Sequence, residues 1–323
     1  MNSKEILELI NRYFAEKRYD RQPASLYEPV KYTMALGGKR IRPTLMMLTY
    51  KMYRDDVASI LPTACALEMY HNSTLLHDDL MDNAEVRRGK TTVHRKWDAN
   101  TAILSGDTML LMSFNEMMSC GDDKLPAVMR LFSETTLEID EGQQYDMDFE
   151  TRDDVREEEY IEMIRLKTSV LLACATEMGA LLADAPDADA KRLYKFGEQL
   201  GLAFQLQDDY LDVYGDPKVF GKAIGGDILC NKKTYMLINA LNKADENQKE
   251  RLTKWLSATD YDPQQKIREV TEIYNELGID RLAQDKINYY FTEARKQLDM
   301  VSVEDERKQD LRLYTDQMLR RDR

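Results

Sequence analysis

Sulfur ligands and paired thiols are scarce in this sequence. The four cysteines, Cys65, Cys120, Cys174 and Cys230, are scattered and form no C-x-x-C pair. Neither a zinc site nor a disulfide framework is expected, and the four read as small apolar core residues in a reducing compartment. Three histidines are too few, and too badly placed, for a hydrolytic metal centre built around His77 and Asp78. No apolar run approaches the roughly 20 residues that span a bilayer. The first residues, Met1 to Ile10, carry no secretory apolar region. The expectation is a soluble, cytoplasmic protein without stable membrane insertion.

Alternating β-branched runs are also missing, and 8 prolines and 14 glycines punctuate the chain, which predicts an all-α fold. Basic charge is in deficit: 45 basic residues stand against 58 acidic ones, a net charge of −13. That argues against general nucleic-acid binding, where a basic face supplies most of the affinity. A local basic pocket is still allowed. No linker rich in Pro, Gly or Ser interrupts the chain, so residues 1–323 read as a single all-helical domain, one large bundle of long antiparallel helices.

What is present is an acidic pattern written twice. Asp78, Asp79 and Asp82 form D-D-x-x-D, and Asp208, Asp209 and Asp212 repeat it 130 residues later. Both follow an apolar helical run. Residues i and i+4 share a helix face, so Asp78 stands over Asp82 and Asp208 over Asp212. Like charges so spaced weaken a helix by about 0.2–0.5 kcal/mol per pair. A chain that does this twice is expected to hold something positive there. Hard cations such as Mg²⁺ take carboxylate oxygens and share them with substrate phosphates. The expectation is two carboxylate walls facing each other across a cavity and clamping a diphosphate through Mg²⁺.

Around these motifs lie clusters of cations. Helices are predicted from Ser3 to about Lys17, Leu26 to Leu36, Thr44 to Tyr53, and from Pro62 to about Asp82. Between them, Gly37-Gly-Lys-Arg-Ile-Arg-Pro43 reads either as a diphosphate-binding loop or as a charged surface turn. His71 shares the face of Asp78 and Asp82, whereas His77 lies about 100° round the helix and reads as structural. Arg87 and Arg88, just before Gly89, suit two phosphate groups or a salt bridge to the nearby acids. Further helices are expected over Thr101 to Met118, Leu125 to Gln144 and Ile161 to Leu182. The charge run from Asp153 to Glu159 reads as a solvated connection. Lys167-Thr168 sits in an apolar setting where the lysine needs a partner, and a phosphate would serve. Lys191 to Tyr214 carries the second acidic motif. A glycine-bearing loop then brings Lys222 and Lys232 near it. The basic tail, Leu319 to Arg323, reads as a frayed end or a cover over phosphate.

In this order the motifs resemble those of the trans-isoprenyl diphosphate synthases, the polyprenyl synthetase family, over nearly the whole chain. The resemblance rests on Gly37-Gly-Lys-Arg-x-Arg-Pro43, Asp78-Asp-x-x-Asp82 with Arg87-Arg88-Gly89, Gly142-Gln143, Lys167-Thr168, and Phe204-Gln-x-x-Asp-Asp-x-x-Asp212 with Lys222 and Lys232. It implies an isoprenoid synthase bundle around a central cavity and a homodimer. It also implies Mg²⁺-dependent head-to-tail condensation of isopentenyl diphosphate with an allylic diphosphate, through three Mg²⁺ per site. By resemblance Asp78, Asp82 and Asp208 are metal ligands, supported by Asp79, Asp209 and Asp212. Arg87, Lys167, Lys222 and Lys232 hold the allylic diphosphate, and Lys39, Arg42, His71 and Arg88 hold isopentenyl diphosphate. Thr168 and Gln205 line the reacting centre beside Lys167 and Asp208.

Product length follows from depth along the helix before Asp78. Ser73 and Thr74, where the family places a bulky stop for fifteen-carbon products, are small. Tyr70, about 12 Å below Asp78 at roughly 1.5 Å per residue, is the first large ring and is expected to floor a tunnel for a product near twenty carbons. Alternatively Tyr70 packs sideways and other helices set the depth. A fifteen-carbon product, a longer one of twenty-five carbons or above, a class I terpene cyclase and a non-catalytic partner subunit are the competing readings. A cyclase ordinarily lacks the Gly-Gly-Lys-Arg loop, and a partner subunit would have lost an acidic motif.

Overall fold

The structure is a computed structural model that describes residues 1–216 and 224–319. Lys222 and Arg320 to Arg323 therefore lie outside the described residues. The described chain is helical apart from one two-stranded hairpin, in agreement with the all-α expectation. It forms two compact units, one of residues 1–133, 174–191 and 302–311, the other of residues 134–173, 192–216, 224–301 and 312–319.

In the first unit α1 (Ser3–Glu16) opens with a capping box. The Asn2 side chain accepts from the Glu5 amide, and the Glu5 carboxylate accepts from the Asn2 amide. Ile6, Ile10 and Phe14, at helical spacing, bury its inner face. α2 (Ala24–Ala35) and α3 (Ile41–Lys51) follow, and α3 is buried almost throughout. α4 (Leu61–Met81) carries Pro62 in its first turn, where the missing N–H is harmless. From Thr63 to Tyr70 every side chain of α4 is buried, Glu68 included, so the helix is packed on all sides until it nears its acidic end. Strands β1 (Val86–Arg87) and β2 (Lys90–Thr91) pair antiparallel. Arg88 and Gly89 turn between them with φ of 52° and 72°, the left-handed pair that a tight two-residue hairpin demands. α5 (Val93–Lys96) is a single turn. α6 (Ala99–Met117), capped by Asp98, packs along α4. α7 (Leu125–Glu150) contributes its first residues here.

The second unit holds the remainder of α7, α8 (Glu157–Ile164), α9 (Val170–Leu182) in its first residues and most of α10 (Asp187–Tyr214). After these come α11 (Gly226–Leu229), α12 (Tyr235–Lys243), α13 (Glu246–Ser257), α14 (Pro263–Glu276), α15 (Ile279–Asp299) and the end of α16 (Asp305–Leu319). Tyr160, Leu202, Tyr235, Leu252, Ile273 and Tyr274 anchor its apolar core.

Several sequence expectations change. The helix expected over Ile161 to Leu182 is not continuous, because Arg165–Ser169 forms a π-helical turn closed by the Val170 amide on the Arg165 carbonyl. α7 runs on to Glu150, since a polar stretch can remain helical once its other face is packed. The charge run is only partly a connection, because Glu157 begins α8 and Val155 is buried. α10 starts four residues earlier than Lys191, at Asp187. Cys65, Cys120 and Cys174 are buried, but Cys230 is exposed at the end of α11. No helix among the described residues is long and apolar enough to cross a membrane.

Candidate active site

Consecutive aspartates on a helix point about 100° apart, so one member of each Asp-Asp pair must turn towards the packing. In the first unit that member is Asp79, 5% exposed, while Asp78 is half-buried and Asp82 exposed. A buried carboxylate needs donors. The hairpin supplies one: Arg87 reaches Asp79 Oδ1 through Nε at 2.7 Å and Nη2 at 2.6 Å, with Nη2 also 3.5 Å from Asp78. Burial pushes the Asp79 carboxyl above its ordinary range against the pull of Arg87. Desolvation works against the Arg87 charge too, yet hydrogen bonding to Asp79 and the acidic neighbours hold this guanidinium above its usual value. Arg87 thus makes the salt bridge to the nearby acids.

Arg88, the next residue, turns the other way. Its Nη1 donates to the Gly37 carbonyl and, at 3.2 Å, to Asn72 Oδ1. Asn72 Nδ2 donates in turn to the Glu68 carbonyl at 2.7 Å. The three cations of the Gly37–Pro43 loop separate. Lys39 is exposed. Arg40 has a left-handed backbone (φ 50°) and turns inward. There it pairs with Glu68 at 3.0 Å, both side chains 2% exposed, and lies over the Phe14 ring. Arg42 stays beside the cluster, its charge opposed by burial, which brings it down to about 10. His71 sits among these cations. Burial, then Arg42, Arg88, Arg87 and Arg40, hold its ring neutral, well below the usual histidine range. Between it and Asp78, Ser73 and Thr74 turn their hydroxyls back onto the carbonyls of Tyr70 and His71. Tyr70 is 3% exposed and stands edge-on to Phe132, ring centroids 5.4 Å apart.

In the second unit the inward member is Asp209, also 5% exposed. Tyr160 donates its hydroxyl to Asp209 Oδ2, and Gln205 Nε2 donates to Oδ1 at 2.9 Å. Burial, with the Asp227 charge beside it, raises this carboxyl well above the ordinary range. Gln205 Oε1 accepts from Thr168 Oγ1 at 2.9 Å, so one chain of hydrogen bonds fixes Thr168, Gln205 and Asp209. Asp208 is half-buried, and Asp212 accepts from the Asp227 amide at 2.9 Å.

The partner of Lys167 is not left to a phosphate alone: its Nζ lies 2.6 Å from Asp146 Oδ2. Burial opposes the Asp146 charge, but Lys232 and Lys167 hold that carboxyl below its ordinary value. Lys167 and Thr168 lie within the π-helical turn, a departure often found at functional sites. Two glycines admit it: a Cβ on Gly142 would run into the Lys167 backbone nitrogen, and one on Gly201 would run into Ser169. Asn72, Glu68, Tyr160 and Asp146 are the contributors that sequence reasoning left without a role. Asn72 next to His71 and Asp146 in the polar stretch of α7 were the available signals.

Among the described residues no group of three or more His, Cys, Asp or Glu side chains is assembled to hold a metal by itself. The outer carboxylates are nevertheless hard oxygen donors on half-buried or exposed helix faces. That suits Mg²⁺, which keeps waters and substrate phosphates in its shell and takes few protein ligands.

A sequence model described as polyprenyl synthetase matches residues 23–277. The chain is 40% identical over 271 residues to a short chain isoprenyl diphosphate synthase of Methanocaldococcus jannaschii, covering 84% of this chain and 82% of that protein. It is 37% identical over 251 residues to a geranylfarnesyl diphosphate synthase of Natronomonas pharaonis, covering 72% of this chain and 74% of the relative. Among solved structures, a geranylgeranyl pyrophosphate synthase superimposes with a TM-score of 0.94 at 41% identity, covering 100% of both chains.

Proposed function

The chain belongs to the polyprenyl synthetase family and is a prenyltransferase of the all-α isoprenoid synthase fold; from that premise we propose that it joins isopentenyl diphosphate head-to-tail to an allylic diphosphate. The product is an all-trans prenyl diphosphate of about twenty carbons. The observation that carries this is the pair of acidic helix ends, each with its inward aspartate satisfied by the protein. The outer aspartates lie on half-buried or exposed helix faces, where their oxygens can meet a cation and its phosphate.

Asp78, Asp82 and Asp208 would hold Mg²⁺, with Asp79, Asp209 and Asp212 orienting them. When bound, Mg²⁺ supplies positive charge against the departing diphosphate. Arg87, Lys167 and Lys232, with Lys222, grip the allylic diphosphate. Lys39, Arg42, His71 and Arg88 hold isopentenyl diphosphate. A neutral His71 can donate one hydrogen bond to a phosphate oxygen without adding charge to an already cationic cluster. Thr168 and Gln205 stand beside the ionising C–O bond, their orientations fixed by the hydrogen bonds they share. The double bond of isopentenyl diphosphate then attacks the allylic cation, and the departed diphosphate takes the proton. Apolar surroundings keep water from the cation.

Tyr70 is proposed to floor the growing chain, with Ser73 and Thr74 leaving room above it. A homodimer is proposed as well, since Leu104, Leu111 and Met118 are exposed at seven-residue spacing along α6 and its end. Chromatography of products made with five-, ten- and fifteen-carbon allylic primers tests the reading. A dominant twenty-carbon product from each is expected. A dominant twenty-five-carbon product would support the kinship with the geranylfarnesyl relative instead, and no condensation at all would overturn the reading.

A further inference from the structure

Lys266 on α14 is 1% exposed, among the largest fully buried side chains. Among the described residues no carboxylate lies within ion-pair distance of it. A lysine is almost never fully buried without a paired charge, because desolvating an ammonium is costly. Its Nζ instead donates to Asn231 Oδ1 at 2.7 Å and to the Leu229 carbonyl at 3.3 Å, and lies 4.4 Å from the centre of the Tyr261 ring. Both acceptors belong to one segment, Gly225 to Thr234. That segment supplies the Asp227 amide to Asp212, and it carries Lys232, whose charge acts on Asp146 and Asp209. The Lys232 amide in turn donates to the Asp227 carbonyl at 2.9 Å. A second contact from the same helix meets the segment's start. Gly225 has φ of 83°, and a Cβ there would lie 2.6 Å from the Ile267 side chain.

We propose that Lys266 is a positioning residue, which pins the Gly225–Thr234 segment to α14 so that Asp227 and Lys232 are set against the second acidic motif. The inference rests on the functional reading above and adds a residue that touches neither substrate nor metal. A buried ammonium spent on neutral oxygens gains little stability for the fold, so its use is in where it holds that segment. Burial accordingly pushes the Lys266 ammonium below the ordinary lysine range.

The test is Lys266→Met in the full chain, read by amide hydrogen exchange without ligand, by melting temperature, and by separate KM values for the two substrates. Losing a charged donor to the segment is expected to raise exchange over residues 225–234 roughly tenfold. The allylic KM should rise by a similar factor, while the isopentenyl KM stays level and the melting temperature moves by no more than a few degrees. Unchanged exchange and unchanged allylic KM overturn the proposal. So does a large fall in melting temperature with both KM values intact, which marks Lys266 as merely structural. Should Lys266→Met not fold, Asn231→Gly removes the main acceptor at a backbone (φ 54°) that glycine accepts. Exchange that stays at the wild-type level there refutes the pin equally. If the wild-type protein forms no prenyl product, the functional reading fails, and the exchange arm alone still decides whether Lys266 holds the segment.

Discussion

Replacing Tyr70 by alanine separates packing from product control. Tyr70 is 3% exposed, its ring meets Phe132 edge-on at 82°, and Phe132 meets Phe114 at 4.9 Å. Truncating a buried aromatic residue to alanine costs about 3–5 kcal/mol, of which the edge-on pair accounts for about 0.5–1.5 kcal/mol. Tyr70→Leu keeps much of the volume and should cost nearer 1–2 kcal/mol, since loss of the ring pair then dominates. The same truncation opens about one helical turn, roughly 5 Å. One prenyl unit extends a chain by roughly 4–5 Å, so the main product should lengthen by one unit, from twenty carbons to twenty-five. Denaturant melts measure the first effect, and chromatography of dephosphorylated products measures the second. If Tyr70→Ala loses the expected stability but keeps its product length, the ring packs sideways and does not floor the tunnel. If it loses under 1 kcal/mol, the packing argument itself is wrong.

Three other outcomes are expected. The folded-state pKa of His71 lies well below 6.5, so below that pH the unfolded chain binds a proton that the folded chain refuses. Stability should fall as pH drops through 6.5, by up to about 1.4 kcal/mol per pH unit, and pH-dependent melts of His71→Gln should show that much less slope. Glu68→Ala leaves the Arg40 guanidinium buried without its counter-charge and should cost about 3–5 kcal/mol in denaturant melts, whereas an exposed pair such as Arg251 with Glu276 should cost under about 1 kcal/mol. Gly142→Ala should cost about 1–3 kcal/mol through overpacking and, by displacing Lys167, should raise the allylic KM at least tenfold while sparing the isopentenyl KM.

Helix positions were legible because apolar spacing and punctuation are local. Ile6, Ile10 and Phe14 announce α1, and Pro62 announces α4. The π-helical turn was not legible: one extra residue in a turn leaves an apolar run looking like an apolar run. Partners far apart in sequence were equally hidden. Arg40 reads as one of three loop cations, and only its left-handed backbone, which sends it to Glu68, removes it from that set. Lys167 reads as a cation waiting for phosphate, whereas Asp146, 21 residues earlier, already faces it. Lys266 carried a signal that charge alone obscures, since it shares the helical spacing of Val270 and Ile273, both buried. Cys230 offered none, because nothing local distinguishes a helix end that faces water.

The two acidic motifs have the same letters at the same spacing, but the protein treats them differently. Asp79 is met by a guanidinium, so its burial is offset by an opposite charge that comes from the hairpin eight residues on. Asp209 is met by a hydroxyl and an amide, both neutral, with the Asp227 charge close by, and its carboxyl is raised accordingly. The first motif thus carries a cation of its own. The second has no such counter-charge in hydrogen-bond contact with its inward carboxyl, which burial and the nearby Asp227 charge raise. Spacing alone, which makes the motifs appear interchangeable, fixes only which aspartates share a face. The partners of the inward aspartate distinguish the two motifs.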